Sequence, residues 1–494
     1  MRRPGYPSLY QINARVYLSE LAAASGRPAT LDDVEDKSIA EWAESGFDLI
    51  YLLGVWQTGP ASRHISESIP ALMDEYRRLL DDFVAADISG SCFAVQNYTT
   101  DVGLGGEEAL DRLRKRLHKH GLRLILDFVP NHTAIDHPWV QRHPEYYVHG
   151  NQERLAAEPQ NYFRLKGEGE ERILAYGRDP NYPGWSDTLQ LNYGNPALQK
   201  AMSDELRKVA RLCDGVRCDM AMLLLPDVFE RTWGIRPEPF WPPTIESIHK
   251  EMKDFLFLAE VYWDLEWTLQ QQGFDYTYDK RLYDRLREGN THSIRKHLEA
   301  GIDFQQRLAR FLENHDEMRA AAAFSPEVHQ AAAVVTYLAP GMRFFHHGQL
   351  HGRKIRIPVQ LRRGPDEPLD RAIAGFYQKL LRCMRDRSFR EGHWHQMECR
   401  SAWESNVSSD DFIAYSWANS RGRKRMVVVN FSSHPSEGHI QIPWEEFQGK
   451  TWVFRDLMGT AVYKGDGRDL NEKGLHLSMP AWAYHVFEVY EAQN

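Results

Sequence analysis

Two residues apart on one short apolar run, Arg217 and Asp219 form a pair able to support nucleophilic chemistry. They lie in Asp-Gly-Val-Arg-Cys-Asp-Met-Ala-Met, residues 214–222. Side chains two apart on a strand point the same way, so the guanidinium can lie beside the carboxylate, favour its ionised form and hold its rotamer. Taken alone, such a pair is equally an ion pair buried at a strand end. Three further stretches, residues 122–132, 255–263 and 310–317, alter that balance. Each ends an apolar run of strand length in residues able to act as acid, base or hydroxyl-binding group: Asp127 and His132 in the first, Glu260 in the second, His315 and Asp316 in the third. Glu260 stands within Phe-Leu-Phe-Leu-Ala-Glu-Val-Tyr-Trp. That apolar setting is expected to raise its pKa and keep it protonated near neutrality, the state of a general acid.

Four strand ends can meet only if the sheet carrying them brings them together. Strands are expected at residues 12–18, 47–56, 122–128, 215–219, 255–261, 308–312 and 342–346. Between them helices are expected at 38–46, 69–83, 106–120, 196–212, 244–254, 280–288, 291–300, 326–338 and 370–385. About eight such alternations fit an α/β fold of the (β/α)8 barrel type better than an open sheet, and place the chemistry at the carboxyl ends of the strands. Residues 133–192, rich in Pro, Gly, His and aromatics, interrupt the pattern, and loops of that length usually carry function. After residue 391 short alternating runs separated by Gly, Ser and Asn predict an all-β module. The expected division is 1–132 and 193–390 for the barrel, 133–192 for the insertion and 391–494 for the β module.

Composition narrows the partners. A chain of 494 residues calls for two or three domains. With 69 acidic against 60 basic residues and no basic arm, it does not read as a nucleic-acid binder, and neutral substrates fit better. The five cysteines are scattered and odd in number, which predicts neither a disulfide framework nor a zinc site. No export signal or membrane span is read, so a cytoplasmic location is expected. Oligomeric state is left open.

In order, spacing and residue type, the four stretches resemble the four short conserved regions of the α-amylase family, glycoside hydrolase family 13. The resemblance implies a TIM barrel with a small domain B inserted after the third strand and a β-sandwich domain C at the end. It implies a retaining hydrolase cleaving α-linked glucans or oligosaccharides through a covalent glucosyl-enzyme. Asp219 would be the nucleophile, Glu260 the general acid/base and Asp316 the carboxylate that stabilises the transition state. His132 and His315 would hydrogen-bond sugar hydroxyls, with Asp127 and Arg217 supporting the site. Phe93, Asn97 and Tyr98 lie in Cys-Phe-Ala-Val-Gln-Asn-Tyr, where many relatives have Gly-Tyr-Asp-Ile-x-Asp-Tyr. Phe93 would give a stacking face, and Asn97 stands where an aspartate usually grips the terminal sugar.

Other departures bear on the reading. Met-Ala-Met-Leu follows Asp219, without the Lys-His pair of many α-amylases. That argues against long starch chains and against the usual domain B calcium site, although Asn131 matches one calcium ligand. No cofactor and no other metal is expected. Phe-His-His-Gly at 345–348 replaces the family's acidic run after the last strand. The alternatives are a glucanotransferase, a disaccharide phosphorylase, or a non-catalytic glucan-binding protein. Phosphorolysis needs a cationic phosphate pocket, for which the run Arg353, Lys354, Arg356, Arg362 and Arg363 is the candidate.

Overall fold

Eight parallel strands close into a barrel in chain order: β1 (Ser8–Asn13), β2 (Leu49–Leu53), β3 (Arg123–Phe128), β4 (Gly215–Cys218), β5 (Leu256–Ala259), β6 (Tyr276–Tyr278), β7 (Leu308–Arg310) and β8 (Met342–His346). This computed structural model describes residues 5–165 and 171–493. The fold is a (β/α)8 barrel followed by an all-β module. Within the barrel, Tyr51, Tyr278, Phe311 and Phe344 meet edge to face with ring centroids 5.4 to 6.4 Å apart. Alternation along β8 turns Phe345 outward, where it stacks on Tyr337 at 4.0 Å. A closed parallel barrel is covered on both faces, which is why its strands are apolar nearly throughout. At the start of β4 only glycine fits, since a Cβ on Gly215 would sit 2.6 Å from the Leu256 carbonyl oxygen.

Three expectations are corrected. The first strand is Ser8–Asn13, not 12–18, and helix Ala14–Ser25 follows at once. The alternation of Ile12, Ala14, Val16 and Leu18 suits a strand, but Asn13 caps the helix by accepting the Val16 N–H at 3.3 Å. The helix expected at 69–83 is shorter, Pro70–Leu79, and an unexpected helix, Pro60–Ser68, precedes it. Pro70 forces Ile69 into an extended conformation and breaks the run. The eighth barrel strand, β6, was not among those expected, because its Tyr-Thr-Tyr run, unlike the equally short β7, is not continued by apolar residues.

Between β3 and helix Pro196–Leu212 the chain forms two small antiparallel pairs, His132–Ala134 with Thr188–Gln190 and Tyr162–Leu165 with Arg172–Ala175. Strand His132–Ala134 runs across the boundary expected at 132/133. The C-terminal module holds a six-stranded antiparallel sheet and a three-stranded one around Phe412, Met426, Phe454, Leu477 and Phe487. All five cysteines are free. Among the described residues, no helix is long and apolar enough to cross a membrane.

Candidate active site

Arg217, wholly buried at the end of β4, holds the centre of the site. Its Nη1 lies 2.7 Å from Asp219 Oδ1 and its Nη2 lies 2.8 Å from Glu260 Oε2. Nη1 is also 3.8 Å from Asp127, and Nε donates to the Tyr278 hydroxyl at 3.2 Å. Asp127 is held from below by the Tyr51 hydroxyl and by the Gly54 N–H at 3.0 Å. Phe93 covers the guanidinium at 5.1 Å from its ring and tilts against His315 at 5.3 Å. Phe93 thus lies between Arg217 and His315.

Glu260 is fixed from two sides. Tyr262 donates its hydroxyl to Oε1 at 2.8 Å, and the Met220 N–H donates to Oε2 at 2.8 Å. Met220 reaches that position with φ 43, a left-handed conformation that costs a residue with a side chain about 1–3 kcal/mol. The strain thus aims a backbone donor at the second carboxyl group.

The electrostatics differ from the sequence expectation in one respect. Arg217 was expected to favour the ionised form of Asp219. Burial outweighs it, and Asp219 is shifted up even though Arg217 pulls the other way. Glu260 is raised farther, first by burial, then by the carboxylates of Asp219 and Asp316, against the pull of Arg217. One guanidinium among three buried carboxyls cannot neutralise all of them, and the larger upward shift, which favours the protonated form, falls on Glu260.

Asp316 differs from the other carboxyls in that its side chain is 45% exposed, facing open space above the pair. Gln11 Nε2 donates to His315 Nδ1 at 2.9 Å, which leaves the His315 proton on Nε2, 3.0 Å from Asp316 Oδ2. His132 packs edge-on against Trp185 at 5.1 Å. Burial pushes both His132 and His315 down to about 4, so both rings are neutral at neutral pH.

Two of the expected sugar-binding residues are placed otherwise. Tyr98 spends its hydroxyl on Val129, donating to its carbonyl at 3.0 Å and accepting from its N–H at 2.8 Å, and so braces the end of β3. Asn97, next along the strand, is exposed on the opposite face. Sequence reasoning missed Gln11, Tyr262, Tyr278 and Met220. Position signalled Tyr262, two residues after Glu260; Tyr278 was lost with β6. Beside Glu260, a cavity of about 350 Å³ is lined by Met220, Tyr262, Trp263, Tyr182, Glu266 and Lys280, among others.

Asn131, which matches one calcium ligand of the family, is engaged with Gln190. Its Oδ1 accepts from Gln190 Nε2 at 3.0 Å while its Nδ2 donates to Gln190 Oε1 at 3.1 Å, a reciprocal amide pair that uses both ends. Among the described residues no group of three or more His, Cys, Asp or Glu is placed to hold a metal ion.

Comparison with known proteins follows the same lines. A profile of the alpha amylase catalytic domain matches residues 91–418. Alpha-amylase MalA of Haloarcula japonica is 26% identical over 350 residues, 67% of this chain and 46% of that protein. Alpha-amylase 3 of Dictyoglomus thermophilum is 24% identical over 296 residues, 54% of this chain and 55% of that protein. The chain therefore spans about half the length of the curated relatives it matches. The crystal structure of an alpha-amylase from Geobacillus thermoleovorans complexed with acarbose superposes over 100% of both chains with TM-score 0.69 at 19% identity, a likeness of fold. With two thirds of its length matched by the catalytic-domain profile, the chain belongs to the alpha-amylase family.

Proposed function

We propose that this chain hydrolyses short or medium α-linked glucosides with retention of configuration. The observation that carries the reading is the single guanidinium of Arg217 in contact with both Asp219 and Glu260. A pair sharing one planar group suits the spacing of a retaining enzyme, about 5 to 5.5 Å, better than the roughly 6.5 to 9.5 Å of an inverting one. Asp219 attacks the anomeric carbon while Glu260 gives its proton to the leaving oxygen, forming a covalent β-glucosyl enzyme. Glu260, now ionised, then takes a proton from the incoming water, which displaces Asp219 from the opposite face. Asp316 offsets the positive charge of the oxocarbenium-like transition state. The neutral rings of His132 and His315 offer hydrogen bonds to sugar hydroxyls without adding charge.

Proton NMR of the first product from an α-linked substrate tests this. The α-anomer is expected before mutarotation; initial release of the β-anomer would make Asp219 a base and sink the reading. The cavity beside Glu260 favours a second outcome, in which a sugar replaces water in the second step. Maltotriose incubated with the protein would then give longer oligosaccharides alongside shorter ones, resolved by chromatography.

A further inference from the structure

Of the basic run at 353–363, three members are committed to carboxylates. Arg353 pairs with Glu20 at 2.5 Å, Arg356 with Glu75 at 3.3 Å, and Arg363 with Asp87 at 2.6 Å and Asp82 at 2.9 Å. Lys354 is exposed. Arg362 makes no ion pair or side-chain hydrogen bond among the described residues, and it lines a cavity of about 290 Å³ with Arg15, Ser19 and Asp101, walled on its apolar side by Leu18 and Leu104.

Arg15 is the unusual member of that group. It is only 7% exposed, in the first turn of helix Ala14–Ser25. Its guanidinium donates to Ser89 Oγ at 3.1 Å, the Trp56 carbonyl at 3.1 Å and Thr58 Oγ1 at 3.3 Å, all neutral groups. The carboxylate paired with it, Asp101, stands at 3.7 Å and has its other oxygen on the Gly103 N–H at 2.8 Å. Among the described residues Arg15 thus has one carboxylate, at 3.7 Å, while Arg362 has only the field of Asp87, which is already paired with Arg363. A buried positive charge so weakly countered is costly unless something supplies the missing negative charge.

We propose that this cavity is a binding site for a small organic oxyanion, a phosphate monoester or a carboxylate, held between Arg15 and Arg362. Arginine suits such groups because its planar fork matches their oxygens in pairs. The space equals the liquid share of about ten waters, more than a bare inorganic anion fills. The Leu18 and Leu104 wall leaves room for the carbon skeleton of the ligand. The site is distinct from the carboxyl pair, although Trp56, which accepts from Arg15 through its carbonyl, also donates its indole N–H to the Asp127 carbonyl at 2.8 Å.

Isothermal titration calorimetry at constant ionic strength tests the proposal on the intact chain, with glucose 6-phosphate, glucuronate and inorganic phosphate as probes and glucose as the uncharged control. At least one organic anion is expected to bind saturably at one site, more tightly than inorganic phosphate, while glucose gives no such signal. The headgroup of the tighter organic anion identifies the class. Arg362→Gln, an exposed position that leaves the fold intact by melting temperature, is expected to weaken binding at least tenfold; Arg356→Gln is expected to leave it unchanged. Absence of saturable binding by either organic anion, or binding equally tight in Arg362→Gln, would overturn it.

Discussion

At the scale of single residues, the site works by dividing labour between two carboxyls that share one guanidinium cation. Replacing Asp219 by Asn removes the nucleophile, and replacing Glu260 by Gln removes the proton donor. Each is expected to lower kcat by several orders of magnitude with little change in melting temperature, since general acid catalysis alone contributes about 10²- to 10⁴-fold. A variant keeping more than about a tenth of the wild-type rate would lose its assigned role. The pH profile follows from the shifts. Activity needs Glu260 protonated, and burial with two neighbouring carboxylates raises its pKa, so the alkaline limb of kcat/KM should lie well above the ordinary glutamic range. Activity needs Asp219 ionised, and its pKa is raised too, so the acid limb should also sit above the ordinary aspartate value. A flat profile, or an alkaline limb near pH 4.5, would contradict this. The carboxyls, Arg217 and the two histidines were legible in the chain because each ends an apolar run. Direct spacing made the Arg217 to Asp219 contact readable. That Arg217 also serves Glu260 was not readable, because it depends on how β4 and β5 lie side by side, as does the burial that raises Asp219.

At the scale of elements, the three-residue strand β6 explains both what sequence reasoning missed and what holds this side of the barrel. β6 supplies Tyr278 to Arg217, and Asp279, the next residue, joins four elements. Asp279 accepts the Leu282 N–H at 3.1 Å as the cap of helix Lys280–Glu288, meets Arg310 of β7 at 2.6 Å, and meets His297 of helix Thr291–Leu298 at 2.9 Å. Although burial opposes ionisation, His297 and Arg310 hold its carboxyl down at about 2. A depressed acid stabilises the fold above its unfolded value and loses that contribution as pH falls through its folded value. Asp279 should therefore contribute about 2 kcal/mol above pH 4 that fades toward pH 2. Asp279→Ala leaves Arg310 buried without its carboxylate and should cost about 3–5 kcal/mol. Urea unfolding at pH 7 measures the loss; a change under about 1 kcal/mol would show that the cluster is not stabilising. Asp279→Asn should flatten the acid dependence of stability between pH 4 and 2. The inserted segment yields a different expectation. With both ends of Asn131 bound to Gln190, chelators should leave melting temperature and activity little changed. A large drop with EDTA that calcium restores would show a metal site in the insertion.

At the scale of the whole molecule, the β module keeps a core of its own and also lends one face of its larger sheet to the barrel's apolar core. Ile413, Tyr415, Trp417, Val427, Val429, Phe431 and Val486 of the module belong to the same buried cluster as the barrel's own residues. The contact is also polar. Trp417 donates its indole N–H to the Leu338 carbonyl at 2.8 Å, Tyr415 donates its hydroxyl to the Val334 carbonyl at 3.0 Å, and Arg425 pairs with Asp386 at 2.7 Å. Leu338 and Val334 lie on helix Pro326–Leu338, whose residues from Ala331 onward are all buried. A surface helix keeps one polar face, whereas this one reads as apolar all round, the mark of an element covered on every side. The helix was legible in the sequence; what covers its outer face was not, because the covering strands are more than 70 residues away. Ending the chain at residue 391 would strip that cover and expose a contiguous apolar patch, so the truncated barrel should aggregate rather than fold as a monomer. Trp417→Ala, which removes one buried anchor and leaves the rest, should cost about 3–5 kcal/mol while kcat/KM per folded molecule stays near wild type. Calorimetry of the intact chain should give one unfolding transition, since units that share a core melt together. Two separable transitions, with the later or earlier one unmoved by Trp417→Ala, would show that the module rides on the barrel without stabilising it.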